Sequence, residues 1–526
     1  MLIINDASLE WALSHLTKYY DSDFFPRLFE FEAIKFDWDR LKKDIMKLDI
    51  ESYMPKSPRI MYAPKINNTF RVVHQLDPID SLIYTSLIFE IAQEVEEFRR
   101  MVNPEGAFSY HVNIGDQGDL FQGSSSWKDF LDQDAKLRED YSNGFVIVTD
   151  ITDFYGQIYL HRVENLICEA SSGRLQRHGQ AIERFLMRLN KGNSRGIPVG
   201  PSASIVIAEL IMADIDRFLT KYECKFIRYV DDVKIFTHDY AEAIKILQDL
   251  TGHLHAFHRL VLSSSKTRLV TVQDYENNFV DEENVEQTAK QSEIDKEIEQ
   301  IVKSILSDHC YYNVEITDYN DLREEIKDSA DLAKNINILG KSYLMLFKQS
   351  LEQVSDYSMI RHLLKKASRY KIRSILRLVS SNLERLMPVF RETILYLISV
   401  VKESDQYVKR DLKKLLHSPY IKLPYVNMWY SYFFINKRIL DSNDNEFLSY
   451  VLSLRQRAEL QIIQKDTTWI RGYKDKIDDI NPWAKRALLY GAGILPKQES
   501  KVWIRCCKNS NDLLEKAIVS HVLSKL

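Results

Sequence analysis

Residues 226–236 read Phe-Ile-Arg-Tyr-Val-Asp-Asp-Val-Lys-Ile-Phe, two arms of strand-favouring residues around Asp231 and Asp232. The pattern predicts a tight hairpin with adjacent carboxylates at its tip. Those carboxylates repel one another. An exposed acidic turn tolerates that in water, whereas a functional site offsets it with a divalent cation. The choice depends on what else the chain brings to the hairpin.

A third acid follows the same logic. Gly144 introduces Phe145-Val146-Ile147-Val148-Thr149-Asp150-Ile151, a continuous apolar run with an acid at its end, as expected of a buried strand with a carboxylate at its exit. Between the two strand elements lies Arg195-Gly196-Ile197-Pro198-Val199-Gly200-Pro201, a shaped loop whose backbone can approach a ligand, and Ser202–Leu219 is the helix it opens. If the strand elements are neighbours in one sheet, Asp150, Asp231 and Asp232 converge. Convergent carboxylates are the ligand set for two magnesium ions in an in-line phosphoryl displacement.

The surrounding chain reads as follows. Apolar spacing makes residues 1–55 largely helical. Ala63-Pro64-Lys65 and Phe70-Arg71-Val72-Val73 suggest two short strands presenting Lys65 and Arg71, either as triphosphate ligands or as surface charges. Helices are expected over 78–100, 127–141, 161–190 and 240–258. Leu260–Leu262 reads as a strand with a polar exit through Thr267 that carries Lys266. Of His253, His255 and His258, only the last two share a face on a regular helix, which makes a poor zinc site. Residues 274–300 are an acidic linker or solvated helix. From about 320 onward amphipathic helices follow one another, Leu383–Val401 and Asp512–Leu523 among them, and antiparallel pairs stacked as a solenoid fit this pattern.

Charge divides the chain. Residues 341–526 hold 33 Lys+Arg and 18 Asp+Glu, a net of +15; the remainder holds 71−33 = 38 and 75−18 = 57, a net of −19. The asymmetry fits a basic surface that meets a polyanion, or cations that merely solvate helix faces. The first residues lack a basic n-region, and no apolar run reaches the roughly 20 residues of a membrane span. Five cysteines without zinc spacing fit a reducing cytoplasm.

Tyr229-Val230-Asp231-Asp232 looks like the signature of reverse transcriptases. Asp150-Ile151 with Phe154-Tyr155 resembles that family's first catalytic-acid motif, Pro198-Val199-Gly200 its Pro-Gln-Gly loop, Leu260–Thr267 its later palm motif with lysine, and Pro64-Lys65 with Arg71 its triphosphate-binding finger residues. The resemblance implies Asp150, Asp231 and Asp232 as catalytic metal ligands, with Ile151 as a backbone ligand. It implies nucleotide contacts from Lys65, Arg71, Tyr155, Pro198, Gly200 and Lys266, with Tyr155 as the gate that selects deoxynucleotides. Two Mg2+ ions, or Mn2+, are the implied cofactors.

Two departures matter. Val199 replaces the loop glutamine, and no recognisable thumb follows the palm. The combination resembles the abortive-infection reverse transcriptases of bacterial antiphage defence, including those of P2-like prophages. The fold implied is α+β: a reverse-transcriptase-like palm and fingers without a typical thumb, then an all-α, HEAT-like helical-repeat domain. The boundaries are 1–60 for an N-terminal helical segment, 61–275 for fingers and palm, 276–340 for the acidic connection and 341–526 for the helical domain. The implied activity is template-independent, protein-primed DNA synthesis from deoxynucleoside triphosphates in the bacterial cytoplasm, by a homo-oligomer (trimer or hexamer), with single-stranded DNA attached to the protein. Tyr19 and Tyr20 are the first candidates for the priming hydroxyl. The alternatives are a templated enzyme of the retron or intron kind, and a scaffold that binds nucleic acid without synthesis.

Overall fold

The computed structural model describes residues 1–121, 127–279, 330–352, 356–437, 445–506 and 510–526. Two compact units divide the chain. The first takes in 1–60, 73–285 and 511–517; the second takes in 61–72, 286–510 and 518–526.

The first unit begins with helices α1 (Asp6–Tyr19), α2 (Glu30–Phe36) and α3 (Trp38–Ile45). Strands β1 (Arg59–Pro64) and β2 (Phe70–Gln75) pair as a two-stranded sheet. Helix α4 (Pro78–Val102) starts where its sequence says it should, with Pro78 in the first turn and the Asp77 carboxylate accepting from the Ile79 N–H. Helix α5 (Trp127–Asp140) leads into β3 (Phe145–Thr149). A single turn α6 (Phe154–Gln157), α7 (Leu160–Ala170), α8 (Gln176–Leu189) and α9 (Ser202–Leu219) follow, and then β4 (Lys225–Tyr229), β5 (Asp232–Thr237), α10 (Tyr240–His253), β6 (Arg268–Thr271) and α11 (Val272–Asn278).

Strands β4, β5, β3 and β6 form, in that order, one antiparallel sheet. The period of two sorts its side chains. Val146, Ile227 and Phe236 join Phe130 and Leu137 of α5 and Val272 and Tyr275 of α11 in one buried cluster. Helix α10 packs on β3 and β5. Helix α9, packed on α4 and α7, is buried nearly all round, which suits its apolar composition but also buries Glu209, Asp214 and Asp216.

Three expectations are corrected. Leu260–Leu262 is not a strand: Leu262 makes only an isolated bridge to Ile151, and the strand in this region, β6, begins after Lys266. The α-helix expected to reach His258 ends at His253, and a π-turn, Leu254–His258, completes it. The helix expected from Leu383 starts at Phe390, because Pro388 confines the chain before it to a 3-10 turn.

In the second unit alternate helices stack in a row: Tyr357–Arg369 on Phe390–Val400, that on Pro424–Lys437, then Leu454–Gln464 and Pro482–Gly491. Leu376–Ser381 packs on Gln406–Leu415 beside them. Trp429 and Tyr430 are core residues here. Most of the acidic connection expected at 276–340 lies outside the described residues. Among the described residues no helix is long and apolar enough to cross a membrane.

Candidate active site

The sheet register brings the acids together. Thr149 lies opposite Val233 and Tyr229 opposite Asp232, so Asp150, one residue beyond β3, comes beside the β4–β5 turn that carries Asp231 and Asp232. Beyond β3 the chain is held by the loop after α10: Ser263 N–H donates to the Asp150 carbonyl at 2.8 Å and Thr152 N–H to the Val261 carbonyl at 3.0 Å. Neither bond uses the carbonyl of Ile151. The turn from Ser263 closes through hydrogen bonds from the Lys266 and Thr267 N–H groups to the Ser263 carbonyl, and the Thr267 hydroxyl meets that of Thr149 at 2.8 Å. This turn places the Lys266 ammonium 3.0 Å from Asp150 Oδ2.

The electrostatics follow from crowding. Burial, and then the charge of Asp150, raise the Asp231 carboxyl to about 6, with a smaller push from Asp232. Asp232, although its residue is exposed, is raised by partial desolvation within the cluster and then by Asp150. Desolvation works against the Lys266 charge, but the ion pair with Asp150 and the fields of Asp232 and Asp231 outweigh it and raise its pKa. Three carboxylates facing one ammonium leave negative charge unbalanced, and a divalent cation fits that donor set.

Tyr155 is largely buried. Its hydroxyl is raised far above the usual tyrosine range, first by burial and then by Glu209, Tyr110 and Asp231, which places it in the field of the acid cluster. Its carbonyl accepts from Ile197 N–H at 2.9 Å, so the 195–201 loop is tied to the turn that carries this ring. The loop is also held to His74: Val199 N–H donates to His74 Nδ1 at 3.1 Å, and His74 N–H donates to the Val199 carbonyl at 2.8 Å. Pro198 is buried. Gly200 has φ 128°, and a Cβ there would stand 2.2 Å from Ser22 Oγ and 3.0 Å from the His74 carbonyl, so only glycine fits. Lys65 and Arg71 are exposed, on the residues of the β1–β2 hairpin that belong to the second unit.

Sequence reasoning missed a buried network beneath the hairpin. Arg228, fully buried, donates to Glu209 Oε2 and to Asp216 Oδ2, each at 2.8 Å. Burial works against its charge, but Asp216 and Glu209 outweigh that and hold the guanidinium protonated. Arg99 reaches the same Glu209 oxygen at 3.4 Å and pairs with Glu96 at 2.9 Å. The signal was available: Glu209 and Asp216 interrupt an otherwise apolar helix, and buried charges require partners.

His253 and His258, not His255 and His258, come together. The π-turn spaces them five residues apart on one side, where Asp214 joins them. His258 Nε2 lies 3.0 Å from Asp214 Oδ2, and burial followed by the His258 charge lowers His253 to about 4. Asp214 also pairs with Arg162 and Arg217 at 2.5 Å each. A dication at this carboxylate would meet two guanidinium groups, so the cluster serves as an ion-paired brace between α7, α9 and the π-turn.

A family model described as reverse transcriptase (RNA-dependent DNA polymerase) matches residues 110–295. No curated protein is similar enough to match. Solved structures similar to the chain include apo telomerase from Candida tropicalis (12% identity, TM-score 0.34, covering 79% of this chain and 73% of that one). Telomerase from Candida albicans in complex with the TWJ fragment of telomeric RNA is another (13%, 0.32, 73% and 71%). The chain spans half the length of a third, apo telomerase from Candida tropicalis truncated from its C-terminal domain (14%, 0.31, 41% and 50%). TM-scores this low carry no argument. The family match takes in Asp150, Tyr155, the 195–201 loop, Asp231, Asp232 and Lys266, and excludes Lys65 and Arg71. The chain therefore carries a reverse transcriptase domain, a domain of the nucleotidyltransferase class.

Proposed function

We propose that the chain is a metal-dependent DNA polymerase that joins deoxynucleoside triphosphates without a template, starting on one of its own hydroxyl groups, in abortive-infection defence against phage. The observation that carries the polymerase reading is the meeting of Asp150, Asp231 and Asp232 beside Lys266, with the Asp231 carboxyl raised to about 6 by burial and its neighbours. Asp150 and Asp231 would hold two magnesium ions, with Asp232 as the weaker third ligand. Bound there, magnesium supplies charge neutralisation and a lowered pKa for the attacking hydroxyl. Lys266 stands where it can release Asp150 and take up phosphate charge. The ring of Tyr155 borders the cluster and, as a gate, disfavours a 2′-hydroxyl.

Template independence is supported by Val199, an apolar side chain where the family carries its glutamine. The +15 charge of residues 341–526 supports a role for the second unit, as a HEAT-like stack, in holding the product strand. Tyr19, exposed, with its hydroxyl hydrogen-bonded to Asp119, is the first candidate primer. The defence role, the oligomer and the cytoplasmic setting rest on the family resemblance. A templated enzyme is the second reading, favoured by the family model matched.

The test is incubation of purified protein with each deoxynucleotide and magnesium, with and without template and primer, followed by protease. Template-free product that shifts on proteolysis supports the proposal. Product that is free of protein and requires template and primer establishes the second reading instead.

A further inference from the structure

Val230 stands between β4 and the acid pair with φ 56°. A β-branched residue enters this left-handed region only under constraint. Relaxed to extended backbone, it would swing Asp231 away from Asp150. Both peptide groups that flank Val230 are held. Its N–H donates to Ser109 Oγ at 2.9 Å, and its carbonyl accepts from Arg228 Nη1 at 3.4 Å.

These two groups are fixed by one buried carboxylate. Ser109 donates its hydroxyl proton to Glu209 Oε1 at 2.6 Å, and Arg228 Nη1 donates to Glu209 Oε2 at 2.8 Å. A serine hydroxyl has a single proton. Given to Glu209, it leaves the oxygen only able to accept, which is what Val230 N–H requires. The Ser109 carbonyl in turn accepts from Arg99 at 2.8 Å, and Arg228 is fixed from its other side by Asp216. Ser109, Glu209 and Arg228 are all buried, so water offers no substitute partner.

We propose that Ser109, backed by Glu209 and Arg228, is a positioning residue: it holds the strained Val230 turn and thereby fixes where the Asp231 carboxylate stands relative to Asp150. This deepens the polymerase reading and rests on it. Ser109 acts through Asp231, so its loss affects metal use and turnover more than nucleotide affinity.

The test is Ser109→Ala in the full chain, assayed for nucleotide incorporation over a magnesium series and a nucleotide series, with a thermal melt alongside. The expected result is a fall in kcat of about tenfold or more, a rise of about threefold or more in the magnesium needed for half-maximal rate, and little change in KM for nucleotide, in folded protein. Unchanged kcat and magnesium response overturn the inference. If the single variant is too unstable to assay, Ser109→Ala is placed beside Val230→Gly and compared with Val230→Gly alone, because glycine takes the left-handed conformation at no steric cost. Because glycine relieves the strain that Ser109 holds, the double variant should regain the stability and magnesium response of Val230→Gly alone, and a double variant that stays as unstable as Ser109→Ala, or that needs more magnesium than Val230→Gly, overturns the inference. Wild-type protein that incorporates nothing would instead refute the polymerase reading beneath it.

Discussion

The ammonium of Lys266 lies 3.0 Å from Oδ2 of Asp150, on a side chain 62% exposed. A metal held by Asp150, as proposed above, would compete with this lysine for the oxygen, and the lysine, on a flexible stem, is the one able to move.

Lys266→Met separates the two roles. Removing the competing charge should leave the magnesium requirement unchanged or lower, whereas losing the cation proposed to meet the transferred phosphates should lower kcat by about 10–100-fold. A magnesium titration of incorporation rate reads both. A variant that needs more magnesium than wild type would contradict this assignment.

The raised Asp231 carboxyl gives a pH dependence of defined sign. It titrates at about 6 in the folded protein, against 3.8 for an ordinary aspartate. Without divalent cations, folding takes up a proton between those values. The ionised group therefore costs stability fully above about pH 6, and the cost fades as pH falls toward 4. Asp231→Asn removes that cost. With EDTA, the variant should melt above wild type at about pH 7.5, and the gap should shrink to about a third of that by about pH 4.5. Magnesium should reverse the order at about pH 7.5, because it binds the native carboxylates. A gap independent of pH would contradict the raised pKa.

Arg228→Ala leaves Glu209 and Asp216 buried without their shared partner. The expected cost is about 3–5 kcal/mol, typical of breaking a buried ion pair from one side. It is read as a lowered urea midpoint for the unit that contains the sheet. A loss below about 1 kcal/mol would mean that water reaches the network.

Gly200→Ala forces a Cβ into Ser22 Oγ and the His74 carbonyl at a φ of 128°. The loop has to shift, at a cost of about 1–3 kcal/mol, and Tyr155 shifts with it through Ile197. Incorporation should fall, and discrimination against ribonucleotides should weaken. Ser22→Gly should rescue only part of the loss, because the His74 carbonyl remains. Wild-type discrimination in Gly200→Ala would show that loop and gate are uncoupled.

The elements that local sequence specifies were legible in the chain. An apolar run ending at Asp150 and a split β-pattern around Asp231 and Asp232 determine strand and turn within a few residues, and helix Ser202–Leu219 was legible from its opening loop and apolar face. The rest depends on distant partners. Ser109 meets Glu209 and the Val230 N–H only once the sheet has folded onto α9, and no local pattern encodes that. His253 and His258 meet because a π-turn adds a residue to the helical spacing, which a period of 3.6 does not anticipate. The turn that carries Lys266 is expected after a strand and instead precedes one, because Leu260-Val261-Leu262 has strand composition without a strand partner beyond Ile151.

The central claim is that Asp150, Asp231 and Asp232 form one metal-binding centre for nucleotidyl transfer. The most direct measurement is magnesium-dependent incorporation of labelled deoxynucleotide by wild type, Asp150→Asn and Asp231→Asn, with circular dichroism showing that all three are folded. Asparagine keeps the shape and removes the charge that holds the cation. The account predicts robust incorporation by wild type and a loss of about a thousandfold or more in each variant, not restored by excess magnesium. Near-normal incorporation by either folded variant would contradict it.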